Sequence, residues 1–289
     1  MGFFITLVVL LAIRGWMGDV AFKAWGWRFA WVASLFLLGI SMYVRLRLKE
    51  SPLWERLRAE RHLSRDPVAE SFSHGNGRKM TLALFGATAG QGVVWYTAQF
   101  YTFVWMQGAL HVPAATASVV VAVALLCGMP FFIIVGQLSD LIGRKWLIVG
   151  GNLLAAVVFL PLYRAMAVAA HPLNPVLLTF LVFLQVLLVT LVYGPMAAFL
   201  VEQFPARIRY TAASLPYHVG NGWFGGAVPF VAGILIAGTG NIYAGLLFPI
   251  LVAGLSGLVG LLFVKETQPT RIWAEVLQRR TPTGSTPRL

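Results

Sequence analysis

Polar positions along this chain come in short, widely separated groups. From Met80 to Ser139 there are 60 residues without a single Asp, Glu, Lys or Arg, which is enough for two membrane-crossing helices of about 20 residues each with a turn between them. The run ends in a charged turn, Gly136-Gln137-Leu138-Ser139-Asp140-Leu141-Ile142-Gly143-Arg144-Lys145, where the chain surfaces before re-entering apolar sequence. The same alternation over the whole length predicts spans at 3–13, 29–44, 80–107, 113–135, 146–163, 175–201, 211–238 and 242–264. Such a pattern predicts an all-α integral membrane fold, a helical bundle of about eight transmembrane helices.

The first span is short. With the two residues before it, 3–13 makes about 20 Å of helix against a hydrocarbon core of about 30 Å, so it reads as part of a span. It has neither the basic n-region nor the small-x-small cleavage site of a signal peptide. Residues 14–28 (RGWMGDVAFKAWGWR) read as an outer loop whose tryptophans suit the headgroup zone. The longest polar stretch, 45–79, divides the chain: its first half reads as an amphipathic surface helix and its Ser-, Gly- and His-rich second half as a linker. The organisation expected is two helices over 1–44, an interdomain loop over 45–79, six helices over 80–264 and a basic, Pro- and Thr-rich tail over 265–289.

Composition removes the soluble alternative. The 289 residues are 58% hydrophobic and 11% charged, with mean hydropathy +0.78, far outside the range of a globular domain in water. A net charge of +12 would suggest nucleic acid in a soluble protein, but its distribution decides otherwise. Nine basic residues lie in 45–79, two at Arg144 and Lys145, two at Arg207 and Arg209, and five from Lys265 onward, so 18 of 22 fall on one side if the spans alternate. The positive-inside rule makes that side, and both termini, cytoplasmic. No nucleic-acid partner is implied; the partner is the lipid bilayer. The single Cys127 lies in apolar sequence, and no disulfide framework or Cys/His metal site is expected.

Candidate chemistry concentrates on two helices and one end. On a helical wheel Thr81, Thr88, Gln91, Gly92, Gln99 and Thr102 share one arc of about 100°, with Trp95 inside it and Tyr96 and Tyr101 flanking. An unpaired amide in lipid costs several kcal/mol, so this face looks either at a water-filled cavity or at neighbouring helices that it glues. Thr211, Ser214, His218, Asn221, Gly222, Gly225 and Pro229 form a second polar face; Gly222 and Gly226 read as a GxxxG contact, and Pro216 and Pro229 as bend points. His218 is either a carrier of a proton or substrate hydrogen bond, or a neutral histidine satisfied by one partner. Asn152 and Gln185 read as packing residues. Asp140, Arg144, Glu202, Arg207 and Arg209 sit at helix ends on one side, where they serve either as a solvated surface or as a latch of ion pairs that make and break as two bundles rock. There is no Ser nucleophile with a facing His, no carboxylate pair and no HExxH, which argues against an enzyme.

From Trp25 to Thr267 the chain resembles the metabolite:proton symporter family of the major facilitator superfamily, which includes proline/betaine, α-ketoglutarate, citrate and shikimate permeases. The Asp140 turn resembles the loop between the eighth and ninth helices of these transporters. The likeness is also carried by Trp25-Gly26-Trp27-Arg28, Arg47-Leu48-Lys49-Glu50-Ser51-Pro52, the run from Gly90 to Tyr101 (GQGVVWYTAQFY), Tyr193-Gly194-Pro195, the run from Glu202 to Tyr210 (EQFPARIRY), and Ser214 to Gly222 (SLPYHVGNG). It implies two six-helix halves around a central cavity, alternating access, a small-molecule metabolite moved with a proton, no cofactor beyond the proton gradient, and a place in the bacterial inner membrane. Gln91, Tyr96, Gln99, Tyr101, His218 and Asn221 are the substrate-binding candidates, and Asp140, Arg144, Glu202 and Arg209 the gating candidates. Matched to the family, the first span corresponds to part of its fifth helix. The expectation is a C-terminal half with the last two helices of the N-terminal half, requiring the remainder, if separately encoded, as partner; the alternative is a truncated membrane remnant that does not transport.

Overall fold

The computed structural model describes residues 2–48, 59, 64–73 and 75–266, and among these there is no strand. In chain order the helices are α1 (Gly2–Met17), α2 (Arg28–Arg47), α3 (Pro67–Phe72), α4 (76–108), α5 (Ala114–Ile142), α6 (Arg144–Ala170), α7 (Pro175–Gln203), α8 (Arg209–Thr239) and α9 (Ala244–Phe263). Six of them, α2 and α5 to α9, are long and apolar enough to cross a membrane, or seven if α1 and the bent segment Asp19–Gly26 count as one. Helix α4 is not among the six, although it is one continuous helical run. The polar side chains that it carries, Thr88, Gln91, Thr97, Gln99 and Thr102, lower its hydropathy, and all five are buried.

Three departures from the sequence reading have local causes. Residues 14–28 are helical rather than a loop: α1 runs on to Met17, a turn covers Asp19–Ala21, and a π-helical turn covers Phe22–Gly26. The chain bends by 119° between Met17 and Asp19, at Gly18 with φ +78°, and Arg14 clasps the Asp19 carboxylate with Nε and Nη2 across the bend. The expected linker before α4 contains α3, started by Pro67 and capped by Asp66, whose Oδ1 accepts from the Ala69 amide at 3.0 Å. The expected surface helix in the first half of 45–79 lies largely outside the described residues, as does the tail beyond Glu266. Finally, α7 breaks at Gly194-Pro195, where proline has no amide to continue the ladder.

Helix α4 is the centre of the bundle, with α9, α8 and α7 around it. Its interior face joins a core that includes Val93, Val94, Phe159, Tyr163, Leu178 and Val186. Backbones touch where glycines meet: a Cβ on Gly92 would lie 2.3 Å from the Gly220 carbonyl oxygen, and one on Gly260 would lie 2.4 Å from that of Gly86. Lipid chains are as apolar as leucine, so close packing of this kind, not exclusion from water, holds such helices together. Helix α1 lies on α5, with Leu7 buried and Phe3 against Phe100 and Phe103 at centroid distances of 6.1 and 6.4 Å. Helix α2 buries no residue at all: Trp31, Leu35 and Phe36 are 69%, 64% and 72% exposed.

Candidate functional site

The polar faces of α4 and α8 meet where the two helices cross. Gln91 and Asn221 exchange a reciprocal pair of amide hydrogen bonds, both 3.1 Å. Asn221 also donates to the Tyr217 carbonyl at 3.0 Å, and Thr88 Oγ1 donates to the Pro216 carbonyl at 2.7 Å. Gln91 is fully buried and Asn221 partly exposed, so the pair has one side in the bundle and one side at its surface. Tyr96 lies at this crossing, since a Cβ on Gly225 would come within 2.5 Å of its ring, and it meets Trp95 edge to face at 5.0 Å. Tyr217 OH and Tyr193 OH lie 3.2 Å apart and carry the aromatic surface from α8 to α7. Tyr193 and Tyr217 were absent from the sequence candidates, although both stand in the motif runs that carry the family likeness.

Two candidates lie elsewhere. Tyr101 is 3% exposed, stacked on Tyr163 at 5.8 Å deep in the core, and its hydroxyl has no hydrogen-bond partner among the described residues. Beside it Thr102 Oγ1 contacts Tyr163 OH at 2.7 Å and donates to Gln185 at 2.9 Å, while Tyr163 OH donates to the Thr97 carbonyl at 3.0 Å. This is interhelical packing, and Gln185 belongs to it as expected. Gln99 is 3% exposed, inside the bundle as well. A π-helical turn covers Thr97–Tyr101; it inserts a residue into the helical repeat and rotates the rest of α4 out of phase with a uniform wheel. His218 is exposed and meets Tyr217 edge to face at 5.6 Å. The glycine contact is also displaced: Gly222 has nothing within 4 Å, and Gly220 and Gly225 make the close approach instead, within a further π-helical turn over Gly220–Gly225.

At the charged end, Arg144 gathers three groups. Its Nη2 lies 2.9 Å from Asp140, its Nε 2.7 Å from Glu202, and its Nη1 donates to Ser139 Oγ at 3.1 Å. The Arg144 and Glu202 side chains are 8% and 3% exposed, whereas that of Asp140 is 56% exposed. The amides at the start of α6 are capped by Glu266, which accepts from Arg144 N at 2.9 Å and Lys145 N at 3.2 Å. Asp140 does not make this cap. Gly143, just before Arg144, has φ +98°, a backbone conformation that favours glycine, and a Cβ there would lie 2.5 Å from Glu266 Oε2 and push on the cap. Arg209 stands apart from the Arg144 cluster in one respect, donating Nε to the Phe204 carbonyl at 3.0 Å; Arg207 pairs with Glu70 of α3. Glu266 was hidden in a stretch that reads as tail. Its signal was a repeat, Lys265-Glu266-Thr267 after the last span and Lys49-Glu50-Ser51 after the second.

The sequence pattern of the Major Facilitator Superfamily matches residues 80–284, from α4 into the tail. The chain belongs to the Major Facilitator Superfamily. It is a multi-pass membrane protein of that superfamily, whose members are transporters rather than enzymes. Among curated relatives, it is 28% identical over 275 residues to the inner membrane metabolite transport protein YhjE of Escherichia coli, covering 92% of this chain and 60% of the relative. It is 28% identical over 281 residues to the glycine betaine/proline/ectoine/pipecolic acid transporter OusA of Dickeya dadantii, covering 92% and 53%. It is 27% identical over 231 residues to the alpha-ketoglutarate permease of E. coli, covering 80% and 51%. The chain thus spans 51–60% of the length of these relatives. No solved structure matches it.

Proposed function

We propose that this chain supplies the C-terminal six-helix half of a proton-coupled symporter, with two helices of the N-terminal half ahead of it, for eight spans in all. The six are α4 to α9, and the two are α1 with its bent continuation and α2. The substrate is a small polar metabolite, an organic acid or a proline/betaine-like zwitterion, moved by alternating access. The observation that supports this reading best is the Gln91–Asn221 amide pair, which sits at a glycine-lined helix crossing and shows one side to the bundle surface beside Tyr96, Trp95 and Tyr217. Polar groups framed by aromatic walls suit a small polar solute, and a crossing that separates by a fraction of an ångström breaks both hydrogen bonds together. The charge distribution supports cytoplasmic termini, and the relatives support a bacterial inner membrane. Helices corresponding to the part of the relatives not spanned here are the partner that would complete the cavity, whether or not they are separately encoded.

The test is uptake of labelled α-ketoglutarate and glycine betaine by vesicles carrying the protein from its native locus, with and without an imposed proton gradient. Accumulation that a protonophore abolishes supports symport; gradient-independent equilibration would replace it with facilitated diffusion. A second reading, a membrane remnant that inserts without transporting, is favoured by α2, which buries none of its residues. The intact mass of the product in its native membrane separates the two: 31.6 kDa with no copurifying helices supports the remnant, and a larger mass or a stoichiometric partner supports the transporter.

A further inference from the structure

Between the charged ends of α4, α7, α8 and α9 lies a cavity of about 600 Å³. Its wall is divided by chemistry. Phe199 and Phe263 are among its apolar groups, and Arg78, Lys79 and Lys265 among its basic ones. Two carboxylates also line it, Glu202 and Glu266, but both are committed: Glu202 to Arg144 at 2.7 Å, and Glu266 to the amides of Arg144 and Lys145. None of Arg78, Lys79 and Lys265 has an acidic partner among the described residues. Four cations, Arg78, Lys79, Arg209 and Lys265, thus line the cavity against two carboxylates, which leaves it net positive. More than half of Phe263 is exposed, so apolar surface adjoins that charge where the helices leave the apolar layer. Cations kept only for solvation need no phenylalanine wall, and an apolar crevice has no reason to gather cations.

We propose that this cavity binds the phosphate of an anionic phospholipid headgroup from the leaflet on the basic side. Arg78, Lys79 and Lys265 surround the phosphate, and the first part of an acyl chain lies along Phe263. Basic pockets between transmembrane helices suit this ligand, because the headgroup brings the charge and the chain supplies contact with the apolar rim. The proposal does not depend on which solute is transported.

The test is lipid titration of the delipidated full chain in a neutral detergent, followed by native mass spectrometry, with phosphatidylglycerol and phosphatidylcholine as the probes. The expected result is preferential retention of phosphatidylglycerol. Each basic residue is worth about fivefold in affinity, so K79Q combined with K265Q lowers phosphatidylglycerol affinity by about 25-fold. R65Q removes an exposed cation that does not line the cavity and leaves affinity unchanged. Equal retention of the two lipids overturns the proposal, and so does an equal loss in R65Q, which would mean diffuse surface attraction. Displacement by glycerol 3-phosphate at the same concentration as the lipid would reassign the site to a soluble phosphate. All these side chains are exposed, so the variants keep the fold, and an unchanged far-ultraviolet circular dichroism spectrum checks this.

Discussion

Replacing Arg144 with glutamine removes one cation from between two carboxylates, and the structure predicts that the two respond unequally. Asp140, with its side chain 56% exposed, is solvated by water once the guanidinium is gone. Glu202 is 3% exposed and has no such recourse. Losing the Asp140 contact therefore costs at most about 1 kcal/mol, as for other exposed pairs, whereas stranding Glu202 costs about 3–5 kcal/mol. The sum is dominated by Glu202. R144Q combined with E202Q removes the stranded charge and leaves two amides able to bond to each other, so the double variant is expected to be more stable than R144Q alone by about 2 kcal/mol or more. D140N is expected to change stability by about 1 kcal/mol or less.

The measurement is reversible unfolding of the purified chain in mixed micelles, followed by circular dichroism, for wild type, both single variants, the double variant and D140N. R144K is informative as well: it keeps the charge but lacks the planar fork that reaches Asp140 and Glu202 together, and it should fall between wild type and R144Q. The reasoning fails if R144Q costs no more than D140N. It also fails if the effects of R144Q and E202Q simply add, because the two would then not share a buried pair.

Three further outcomes follow from the geometry. In G92A the new methyl meets the Gly220 carbonyl oxygen at 2.3 Å, backbone against backbone, so unfolding should show a loss of about 1–3 kcal/mol, while G222A, where nothing lies within 4 Å, should be neutral or stabilising by up to about 1 kcal/mol. Q91A and N221A each break the reciprocal amide pair and should cost about 0.6–1.7 kcal/mol of stability, with normal abundance in the membrane but weaker uptake; full uptake in both would remove the pair from the substrate path. E266Q keeps the shape of the α6 cap but not its charge at the positive end of the helix, and a loss of about 0.5–1 kcal/mol is expected in the same unfolding assay.

How far the sequence foretold the structure depended on phase. Apolar runs ending in charged groups located the long helices among the described residues, because bilayer thickness constrains length and the constraint is local. The wheel worked for Thr88, Gln91 and Gly92, which lie together from the end of one π-helical turn, Leu84–Thr88, to before the next at Thr97–Tyr101, and failed for Tyr101, which lies in the core against Tyr163. On α8 the same effect exchanged Gly222 and Gly226 for Gly220 and Gly225. Single inserted residues of this kind leave no compositional trace, since glycine, asparagine and aromatic residues are also ordinary in regular membrane helices. Charged ends were easier. Asp140, Arg144 and Glu202 came together because each ends a span on the same side, while Glu266 was missed because one carboxylate in a basic run looks like tail.

The Arg144 cluster also changes what a latch would have to be. As a sequence, the charges at this end looked like pairs that form between two bundles and break as these rock. In the structure Arg144 begins α6, Glu202 ends α7 and Glu266 comes after α9, so these bonds tie α6, α7 and the end of α9 to one another. They have no reason to open when those three helices move together. Asp140 differs, because its carboxylate touches Arg144 on one side and is exposed on the other, with an oxygen able to accept a bond from outside these helices. If gating runs through this end, it runs through Asp140. D140N should then slow the maximal rate of uptake several-fold, leave half-saturating substrate concentration close to wild type, and leave stability nearly unchanged. A change confined to half-saturation would place Asp140 in solute binding, and a loss of stability as large as that of R144Q would make it one more internal clamp.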